Sequence, residues 1–431
     1  MTQIRRSSFK KRLHQGMRRL FGVMPQGLRF SVYRSMVDCD PEPDSRLELK
    51  IAETQEELED CFRILHDAYV ASGFMKPDPS GMRVTIYHAL PTTTTLCAKY
   101  DGRVVGTISM IREGVFGFPL QSVFDLSQIR AQEGNIAEIS ALAVHPDFRK
   151  TGGAILFPLM KFMYEYCTEY FDTRHLVIAV NPDKIELYES LLFFKRLQER
   201  VVDSYDFANG APAVGAALDL KQAPEVFRRA YGGKAARKNL YKYFVGLRLP
   251  NIKLPKRRYF TTNDPVMTPA LLDHFFNRRS PVFTELDDRR KSLLWSIYEV
   301  YEYRRVLPML SSGVVESHPL RRHQRFSLRC PAEVRFPQSE GGRSFVLLVI
   351  EISLSGFQAM SKLPLPLSQQ GTAVVELGVG ERSEVRITAV RKHTAAGEDF
   401  YGFRLEGEPD GNWRRCVAAL ETGMISSDLA A

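Results

Sequence analysis

The chain has 431 residues, of which 44% are apolar and 25% are charged, so it can build two or three domains with cores of their own. No apolar run reaches the roughly 18 residues that a membrane span needs, and no secretory leader is visible, which predicts a cytoplasmic protein. Six scattered cysteines, without a Cys-x-x-Cys pair or a His cluster, argue against both structural disulfides and a bound metal.

The formal charge of +9 is concentrated at the start of the chain, because nine Lys and Arg residues precede the first acidic residue, Asp38. Apolar residues at positions 9, 13, 17, 20 and 21 share one face of a helix, which predicts a basic amphipathic leader within residues 1–46. Three interpretations stay open: a solvated tail, a peripheral contact with the inner face of an anionic membrane, and docking of an acidic acyl carrier protein. Nucleic-acid binding is not expected, since no basic surface with interleaved aromatic residues continues into the folded part.

Residues 47–220 alternate strands and helices in the order of an α/β fold with a mixed sheet. Thr54 and Glu57 form a capping box at the start of the first helix. Two strands then flank Asp101-Gly102, which is the strongest short signal for a β-hairpin. Strand, helix, strand and helix follow, an order that fits no doubly wound dinucleotide-binding domain.

A basic turn with two glycines follows the strand that ends at Val144, and it opens a long apolar helix. Successive backbone N–H groups of this turn face one concavity and the helix adds its positive end, so a diphosphate is the natural ligand. The glycines allow positive φ and a close approach of the backbone, while the arginine adds a charged hydrogen bond. The residues predicted to bind the diphosphate are Arg149, Lys150, Thr151, Gly152, Gly153 and Ala154.

The spacing Arg149-x-x-Gly152-x-Ala154 resembles the acyl-CoA loop of the GCN5-related N-acyltransferases (GNAT), and Asn181 and Tyr188 match further positions of that family. The resemblance implies a GNAT-type mixed sheet with flanking helices. It also implies a thioester donor, either acyl-CoA or an acyl carrier protein. Asn181 would then contact the donor, and Tyr188 would be the general acid for the departing thiolate.

Within this superfamily, the segment 68–83, the Glu-x-Ser sequence at Glu138 and the helix start at 181–188 resemble N-acyl amino acid synthases of the FeeM type. That implies a long acyl chain passed to the amine of an amino acid or a related small amine. Glu138 is then the expected base that takes up the amine proton. The resemblance also implies that backbone N–H groups near Leu142 and Val144, where the family's sheet splays apart, polarise the thioester carbonyl.

Residues 221–318 form a charged segment with a helical pattern that several prolines interrupt. Its aromatic residues favour packing against a neighbouring domain or a second protomer. No chemical motif is visible in it, so the segment is predicted to be a structural cover or a hinge.

From residue 319 the pattern changes to short strands with glycine-containing turns, which predicts a small antiparallel β-barrel over residues 319–420. Residues 421–431 are expected to form a flexible tail. Arginines at the barrel entrance suit bidentate contacts with phosphates and stacking on guanine, and a Ser-containing turn offers further donors. The residues predicted to bind a nucleotide are Arg321, Arg322, Arg325, Glu351, Ser353 and Gly356.

The motifs Arg321-x-x-x-Arg325 and Glu351-x-Ser353-x-x-Gly356 resemble those of PilZ domains. The resemblance implies a C-terminal PilZ-like barrel that binds cyclic di-GMP as a regulatory ligand. PilZ domains have Asp or Asn at the position of Glu351, whose extra methylene moves the carboxylate away from the guanine edge. A barrel that has lost the ligand and only mediates contacts between domains therefore stays an alternative.

Together these features predict an N-acyltransferase whose output responds to cyclic di-GMP. Two alternatives stay open: a catalytically inactive cyclic di-GMP effector, and an N-acetyltransferase that uses acetyl-CoA. Glu138 and Tyr188 also have alternative roles, the first as a carboxylate paired with a surface arginine and the second as an ordinary packing residue of its helix.

Overall fold

A computed structural model describes residues 24–149, 151–263, 267–299, 301–311, 323–337, 344–395 and 398–422. Several features predicted above lie outside these residues, namely the apolar stripe of the leader, most of the tail, Lys150, Arg321 and Arg322. The described part of the chain contains a mixed sheet, helices on both of its faces, and a separate antiparallel barrel.

Eight strands form the mixed sheet in the order β1-β2-β3-β4-β5-β8-β6, and β7 also pairs with β8. Strands β4 and β5 are parallel, and the other neighbouring pairs are antiparallel. The strands are β1 (Leu47–Ile51), β2 (Thr93–Tyr100), β3 (Arg103–Arg112), β4 (Asn135–Val144), β5 (Thr173–Val180), β6 (Lys195–Arg196), β7 (Val202–Tyr205) and β8 (Ala211–Asp219). The prediction of an α/β fold with a mixed sheet is confirmed.

Ten helices accompany the strands in the described residues. They are α1 (Gln26–Ser35), α2 (Gln55–Ala71), α3 (Ser127–Arg130), α4 (Leu156–Phe171), α5 (Pro182–Leu192), α6 (Ala223–Tyr231), α7 (Pro269–Asp273), α8 (Asp288–Ile297), α9 (Tyr301–Arg304) and α10 (Gly411–Thr422). Helix α4 packs on one face of the sheet and α2 on the other. In this part of the chain, no helix is both long and apolar enough to cross a membrane.

Two local signals in the sequence have the expected geometry. The Thr54 hydroxyl accepts the N–H of Glu57 at 3.2 Å and the Glu57 carboxylate accepts the N–H of Thr54, so a capping box opens α2. Asp101 and Gly102 both have positive φ, at 49° and 77°, and form the tight turn between β2 and β3. Short-range sequence chemistry therefore sets the start of α2 and the register of this hairpin.

Strand β4 loses its pairing with β5 beyond Glu138, and it has a bulge on the β3 side. Its parallel pairing with β5 ends at that residue. On the β3 side, the register shifts after Ser140, so that Ala141 and Leu142 lie in a β-bulge. Ala141 has a φ of 56°, a left-handed conformation that is uncommon for a residue other than glycine. The sheet consequently opens between β4 and β5 along the second half of β4.

The segment predicted to be a helical cover is helical only in part. Helix α6 and a π-helical turn at Lys242–Gly246 pack beside α4, whereas α7, α8 and α9 pack on the α2 side. Between them, Asn251 and Lys253 exchange backbone hydrogen bonds with Leu49 of β1, at 2.9 and 2.8 Å. This extended stretch covers the edge of the sheet, where unpaired backbone groups would otherwise be exposed. The segment thus completes the cores around the mixed sheet.

The C-terminal strands close into a six-stranded antiparallel barrel in the order β10-β11-β14-β13-β12-β9. These strands are β9 (Arg325–Arg335), β10 (Ser344–Ser353), β11 (Gly356–Ser361), β12 (Gln370–Gly378), β13 (Glu381–Ala395) and β14 (Glu398–Leu405). Helix α10 packs on the barrel through the buried Trp413, whose indole N–H donates to the carbonyl of Ser353 at 3.0 Å. The predicted antiparallel barrel is therefore present.

Residues 255–262, called the strap below, connect the mixed sheet to the barrel. The guanidinium of Arg112, at the end of β3, donates to the carbonyl of Thr262. On the barrel side, the N–H of Arg329 in β9 donates to the carbonyl of Phe260 at 2.8 Å. The strap is therefore hydrogen-bonded to β3 of the sheet and to β9 of the barrel.

Candidate active site

A cavity of about 200 Å³ lies where β4 and β5 separate. Its polar lining residues include Glu138, Ser140, Tyr188 and Tyr205. Most of the wall is apolar and is built by β5, β8, α4, α6 and the π-helical turn; it includes Met163, Leu176, Ile178, Leu218, Phe227 and Phe244. The structure thus brings together Glu138, Leu142 and Tyr188, which the sequence singled out separately.

Glu138 is buried in this cavity, with 2% of its surface exposed. One carboxylate oxygen accepts the N–H of Leu120 at 3.0 Å, and no cationic side chain of the described residues forms an ion pair with it. Burial raises the pKa of Glu138 to about 8, against a smaller opposing effect of the Leu120 hydrogen bond. A carboxyl group with a pKa near the working pH is well matched to general base catalysis. The alternative of a surface ion pair with arginine is wrong for this residue.

Tyr188 projects from α5 into the same cavity. Its ring packs edge to face against Phe194, with the ring centroids 5.9 Å apart. Burial raises the pKa of Tyr188 to about 12, so the hydroxyl keeps its proton at neutral pH. Tyr188 therefore packs against Phe194 and also keeps a hydroxyl that can donate a proton.

The bulge in β4 determines which backbone groups face the cavity. Ala141 and Leu142 line it, while Val144 lies beyond the bulge and pairs with Gly106 of β3. The carbonyl of Val144 also accepts the Nε–H of Arg149 at 2.8 Å. Because the extra residue of a bulge is left without a ladder partner, the N–H groups at 141–142 suit an oxyanion better than that of Val144.

The predicted donor loop lies between β4 and α4, outside the wall of the cavity. Gly152 and Gly153 have φ of 67° and 94°, values that favour glycine. Helix α4 begins at Leu156 directly after the loop, and the N–H of Phe157 in its first turn donates to the carbonyl of Gly153 at 2.9 Å. Pro158 is the third residue of α4, and it leaves one gap in the hydrogen bonds of this turn, between those of Phe157 to Gly153 and of Leu159 to Ile155.

Two more side chains near the donor loop have structural partners. The Asn181 side-chain oxygen caps α5 by accepting the N–H of Asp183 at 2.9 Å. Asp38 faces Gly152, at 3.8 Å from the position that a Cβ would take there. Its hydrogen bond with Arg237 lowers the pKa of Asp38 and offsets its charge. Asn181 is therefore a helix cap first, and any donor contact would use its remaining amide hydrogens.

Two residues beside the cavity were missed by the sequence analysis. Tyr205, at the end of β7, is 2% exposed, and its buried hydroxyl has no hydrogen-bond partner in the described residues. Arg83 is 6% exposed and lies against the rings of Tyr69 and Phe207, both of which line the cavity. Arg83 is the last residue of the segment 68–83, in which no single residue was given a role, and Tyr205 belongs to no local motif; only the folded chain brings both beside the cavity.

A second pocket, of about 520 Å³, lies at one end of the barrel. The four described members of the predicted nucleotide site all line it, namely Arg325, Glu351, Ser353 and Gly356. Arg325 forms an ion pair with Glu351 at 2.8 Å, and the Ser353 hydroxyl donates to the carbonyl of Gly356 at 3.1 Å. The predicted residues are thus adjacent, and the arginine already has an anionic partner.

His323, Arg391 and Arg404 also line the barrel pocket and were missed by the sequence analysis. Arg391 lies opposite Gly402 of β14, where a Cβ would come within 2.7 Å of the arginine side chain. Gly402 therefore makes room for the arginine, a relation across two strands that no local motif shows. No group of side chains in the described residues has the composition of a metal site.

Residues 60–219 match the family model described as N-acyl amino acid synthase FeeM. This match confirms the prediction of an enzyme of the N-acyltransferase class. The matched residues contain β4, α4, β5 and α5, which surround the opening of the sheet. No protein in a search of curated proteins matches the chain.

Solved structures resemble parts of the chain. The structure of FeeM, an N-acyl amino acid synthase from uncultured soil microbes, has 24% identity, covers 42% of this chain and 94% of its own, and gives a TM-score of 0.36. The CoA-dependent acyl-homoserine lactone synthase BjaI has 19% identity over 49% of this chain and 94% of its own, with a TM-score of 0.35. YcgR of Escherichia coli in complex with c-di-GMP has 17% identity over 24% of this chain and 46% of its own, with a TM-score of 0.21.

Proposed function

We propose that the protein transfers a long acyl group from the thioester of CoA or of an acyl carrier protein to the amine of an amino acid or a related small amine. The observation that supports this most is one cavity that combines the buried Glu138, the hydroxyl of Tyr188 and a largely apolar wall. The family match at residues 60–219 covers the elements that hold both residues.

The proposed reaction forms one C–N bond and breaks one C–S bond. The amine nitrogen attacks the thioester carbonyl carbon, and the carboxylate of Glu138 takes the proton that the nitrogen loses. The N–H groups of the bulge at 141–142 stabilise the negative oxygen of the tetrahedral intermediate. As the C–S bond breaks, the Tyr188 hydroxyl gives its proton to the sulfur, and a proton from Glu138 restores Tyr188 through solvent. The products are an amide and a free thiol.

The apolar lining of the cavity favours an acyl chain longer than an acetyl group. An apolar cavity of roughly 150 Å³ is enough to bind a six-carbon ring such as benzene. The cavity here is about 200 Å³, and its wall between α4, β5, β8 and α6 is mainly aliphatic and aromatic. An acetyl group would leave most of this apolar surface without contact, so the acetyl-CoA alternative is the weaker one.

The phosphates of the donor are proposed to lie at the loop formed by Arg149, Thr151, Gly152, Gly153 and Ala154, together with Lys150. The positive φ of both glycines and the first turn of α4 support this assignment. CoA has a diphosphate next to its pantetheine arm and an acyl carrier protein has one phosphate there, so the loop could contact phosphate in either donor.

A direct test uses the purified full chain with acetyl-CoA or dodecanoyl-CoA and a mixture of the common L-amino acids. Mass spectrometry of the products and thiol release are measured together for the wild type, Glu138→Ala and Tyr188→Phe. We expect N-dodecanoyl amino acids from the wild type and a large loss in Glu138→Ala. The absence of any acylated amine with CoA thioesters and with dodecanoyl acyl carrier protein would refute the proposed reaction.

We further propose that residues 319–420 bind cyclic di-GMP and regulate the transferase domain of residues 47–220. The support is the shared pocket of Arg325, Glu351 and Ser353, which also contains Arg391 and Arg404. Guanidinium groups suit both the phosphates and the guanine faces of such a ligand. The ion pair of Arg325 with Glu351 would have to open, because the phosphate and the carboxylate compete for one guanidinium.

The strap offers a physical connection for this regulation. Strand β9 begins at Arg325 and is hydrogen-bonded to the strap through Arg329. Two residues further along the strap, Thr262 accepts a hydrogen bond from Arg112, which pairs with Ala137 of β4, next to Glu138. A ligand that moves β9 would therefore act on the strand that holds the proposed base, provided that it binds two arrangements of the strap differently.

Isothermal titration calorimetry of the full chain with cyclic di-GMP tests the regulatory proposal. The same protein is then assayed for acyl transfer with and without saturating ligand. Binding with a changed rate is the expected result. A chain that shows acyl transfer but no heat of binding would keep the enzyme assignment and remove the regulatory one.

A further inference from the structure

We propose that Arg83 and Tyr205 recognise the carboxylate of an amino acid acceptor, and that these two residues select such an acceptor over a neutral amine. The inference rests on the proposed acyl transfer and names the group on the acceptor that the site selects. It is supported by a buried cation beside the cavity and by a tyrosine of the cavity wall whose buried hydroxyl has no partner in the described residues.

Arg83 is a buried cation without an anionic partner. Among the described residues, no carboxylate lies within ion-pair distance of its guanidinium; one nitrogen donates to the carbonyl of Phe207, and the buried Nε has no partner. Its neighbour His88 is neutral, because burial and then the charge of Arg83 lower the pKa of His88 to about 3. Arginine does not lose its proton in proteins, and a buried charge without compensation is costly. An anion in the adjacent cavity would compensate it.

The aromatic rings of Tyr69 and Phe207 separate the guanidinium of Arg83 from the cavity. The centre of its guanidinium is 4.1 Å from the ring centroid of Tyr69 and 5.0 Å from that of Phe207. Both rings line the cavity that contains Glu138. Because the intervening material is protein of low dielectric constant rather than water, the positive potential extends into the cavity.

Arg83 is separated from the cavity by the rings of Tyr69 and Phe207, so a second residue is needed to donate a hydrogen bond to the carboxylate. Tyr205 is suited to this role. Tyr205 belongs to the same cavity wall as Glu138, and its hydroxyl is buried and has no partner in the described residues. Burial raises the pKa of Tyr205; the charge of Glu138 raises it further and that of Arg83 lowers it, so the hydroxyl is within electrostatic reach of both groups. The hydroxyl therefore remains a donor at neutral pH.

An α-amino acid fits the arrangement of Glu138, Tyr205 and Arg83. Its amine and its carboxylate are attached to the same carbon, so an amine placed at Glu138 puts the carboxylate only two bonds away. Tyr205 can then donate to a carboxylate oxygen, while the field of Arg83 stabilises the negative charge. Arg83 acts here as a positioning residue, and it does not touch the reacting atoms.

The experiment compares the best amino acid acceptor with its own α-carboxamide, using dodecanoyl-CoA and the full chain. The amide lacks the negative charge, and its amine is less basic and therefore more often unprotonated at neutral pH. Any preference for the acid consequently opposes the difference in amine basicity. We expect the wild type to prefer the acid by at least about tenfold in kcat/KM, which corresponds to about 1.4 kcal/mol.

Four variants test which residues cause the preference for the amino acid over its carboxamide. Arg83→Met should reduce kcat/KM for the acid by roughly 30-fold and leave that for the amide nearly unchanged, while Arg83→Lys should restore part of the preference. Tyr205→Phe should raise KM for the acid by roughly tenfold. Arg63→Met, an exposed arginine of α2, is the matched control and should leave the ratio unchanged.

The outcomes separate this inference from the proposed function. No product with either acceptor would refute the proposed acyl transfer itself. Equal efficiency of acid and amide in the wild type, or equal losses for both in Arg83→Met, would overturn the role of Arg83. If circular dichroism shows that Arg83→Met does not fold, the wild-type ratio and Tyr205→Phe decide the question.

Discussion

Glu138 in the cavity of the sheet and Glu351 in the pocket of the barrel are both buried, yet only Glu351 has a cationic partner. Glu351 lies 2.8 Å from Arg325, whereas the hydrogen bond of Glu138 comes from a neutral backbone N–H. Burial raises the pKa of the unpaired Glu138 carboxyl, which can therefore take up a proton near neutral pH. The paired one occupies the guanidinium of Arg325. The first arrangement suits chemistry, and the second suits a switch.

The two sites also differ in how they would hold phosphate. The donor loop presents backbone N–H groups of Gly152 and Gly153 at the start of a helix, where geometry is fixed by φ. The barrel pocket presents the side chains of Arg325, Arg391 and Arg404, which can change partners. A fixed backbone loop favours constant donor binding, while movable side chains favour a response to ligand.

The largest expected effect is on catalysis by Glu138→Gln, which keeps the shape of the side chain and removes the base. We expect kcat to fall by about 10² to 10⁴ because general base catalysis contributes that much. In the wild type, kcat/KM should rise with pH, because the base must be deprotonated, and level off above the Glu138 pKa of about 8. Stopped assays of product across pH check both statements.

The matched control is Glu113→Gln, which removes an exposed carboxylate paired with Arg130 near the end of the same sheet. It should retain the rate and the pH profile of the wild type. If Glu138→Gln kept the pH-dependent rise and lost less than about threefold in kcat, Glu138 would not be the base.

The second effect concerns the donor loop. A Cβ at Gly153 would meet the Phe157 ring at 2.6 Å, and its φ of 94° is unfavourable for other residues. Gly153→Ala should therefore move the loop and raise KM for dodecanoyl-CoA by roughly 30-fold, with a smaller change in kcat. Initial rates over a range of donor concentrations measure this change.

Gly102→Ala serves as the control for strain alone, because Gly102 also has a positive φ and open space around it, but lies in the hairpin between β2 and β3. Both variants should lose some stability, and only Gly153→Ala should lose donor affinity. Equal KM values for the two variants would argue against donor binding at this loop.

The difference between these sites also explains what the sequence could predict. The capping box at Thr54, the hairpin at Asp101 and the glycine pair at 152–153 depend on residues close together in the chain, and their geometry follows from local chemistry. Glu138 was predicted from its resemblance to a family. Its burial without a cation was not predicted, because it depends on side chains that fold around β4 from distant segments.

Other parts of the sites have no local signal at all. A left-handed position is usually recognised in a sequence by glycine, and Ala141 adopts this conformation without one. The sequence therefore does not mark Ala141 as the bulged residue. Tyr205 reaches the cavity because β7 pairs with β8, a contact set by the whole sheet. Arg391 depends on the facing Gly402. The extended stretch at 251–253 lacks the alternation of a strand and is fixed only by pairing with the edge of the sheet.

The third effect is expected in the barrel and is more modest. Glu351→Asp shortens the carboxylate by one methylene, which weakens the ion pair with Arg325 and frees the guanidinium for phosphate. We expect calorimetry to show about tenfold tighter binding of cyclic di-GMP, whereas Arg325→Ala should weaken binding by at least about tenfold. Glu333→Asp, an exposed glutamate of β9 paired with Arg335, is the control. Weaker binding by Glu351→Asp would mean that Glu351 contacts the ligand rather than competing with it.

The smallest effect is on stability, and it has opposite signs at the two glutamates. Because the pKa of Glu138 is raised in the folded state, its stabilising contribution is complete below the unfolded value and is lost as pH rises through about 8. Glu138→Gln mimics the neutral form, so its thermal midpoint should exceed that of the wild type by several degrees at about pH 8.5 and by less at about pH 5.

Glu351→Gln should instead lower the thermal midpoint at both pH values, since it leaves Arg325 without its anionic partner, at a cost of about 1 kcal/mol. Differential scanning calorimetry on the two variants and the wild type measures the direction of both shifts in the thermal midpoint. If the two substitutions shifted the midpoint in the same direction at high pH, the contrast between an unpaired and a paired carboxyl would not describe this protein. Opposite shifts would show that the cavity of the sheet keeps Glu138 unpaired at the expense of stability, as expected for a group retained for its chemistry.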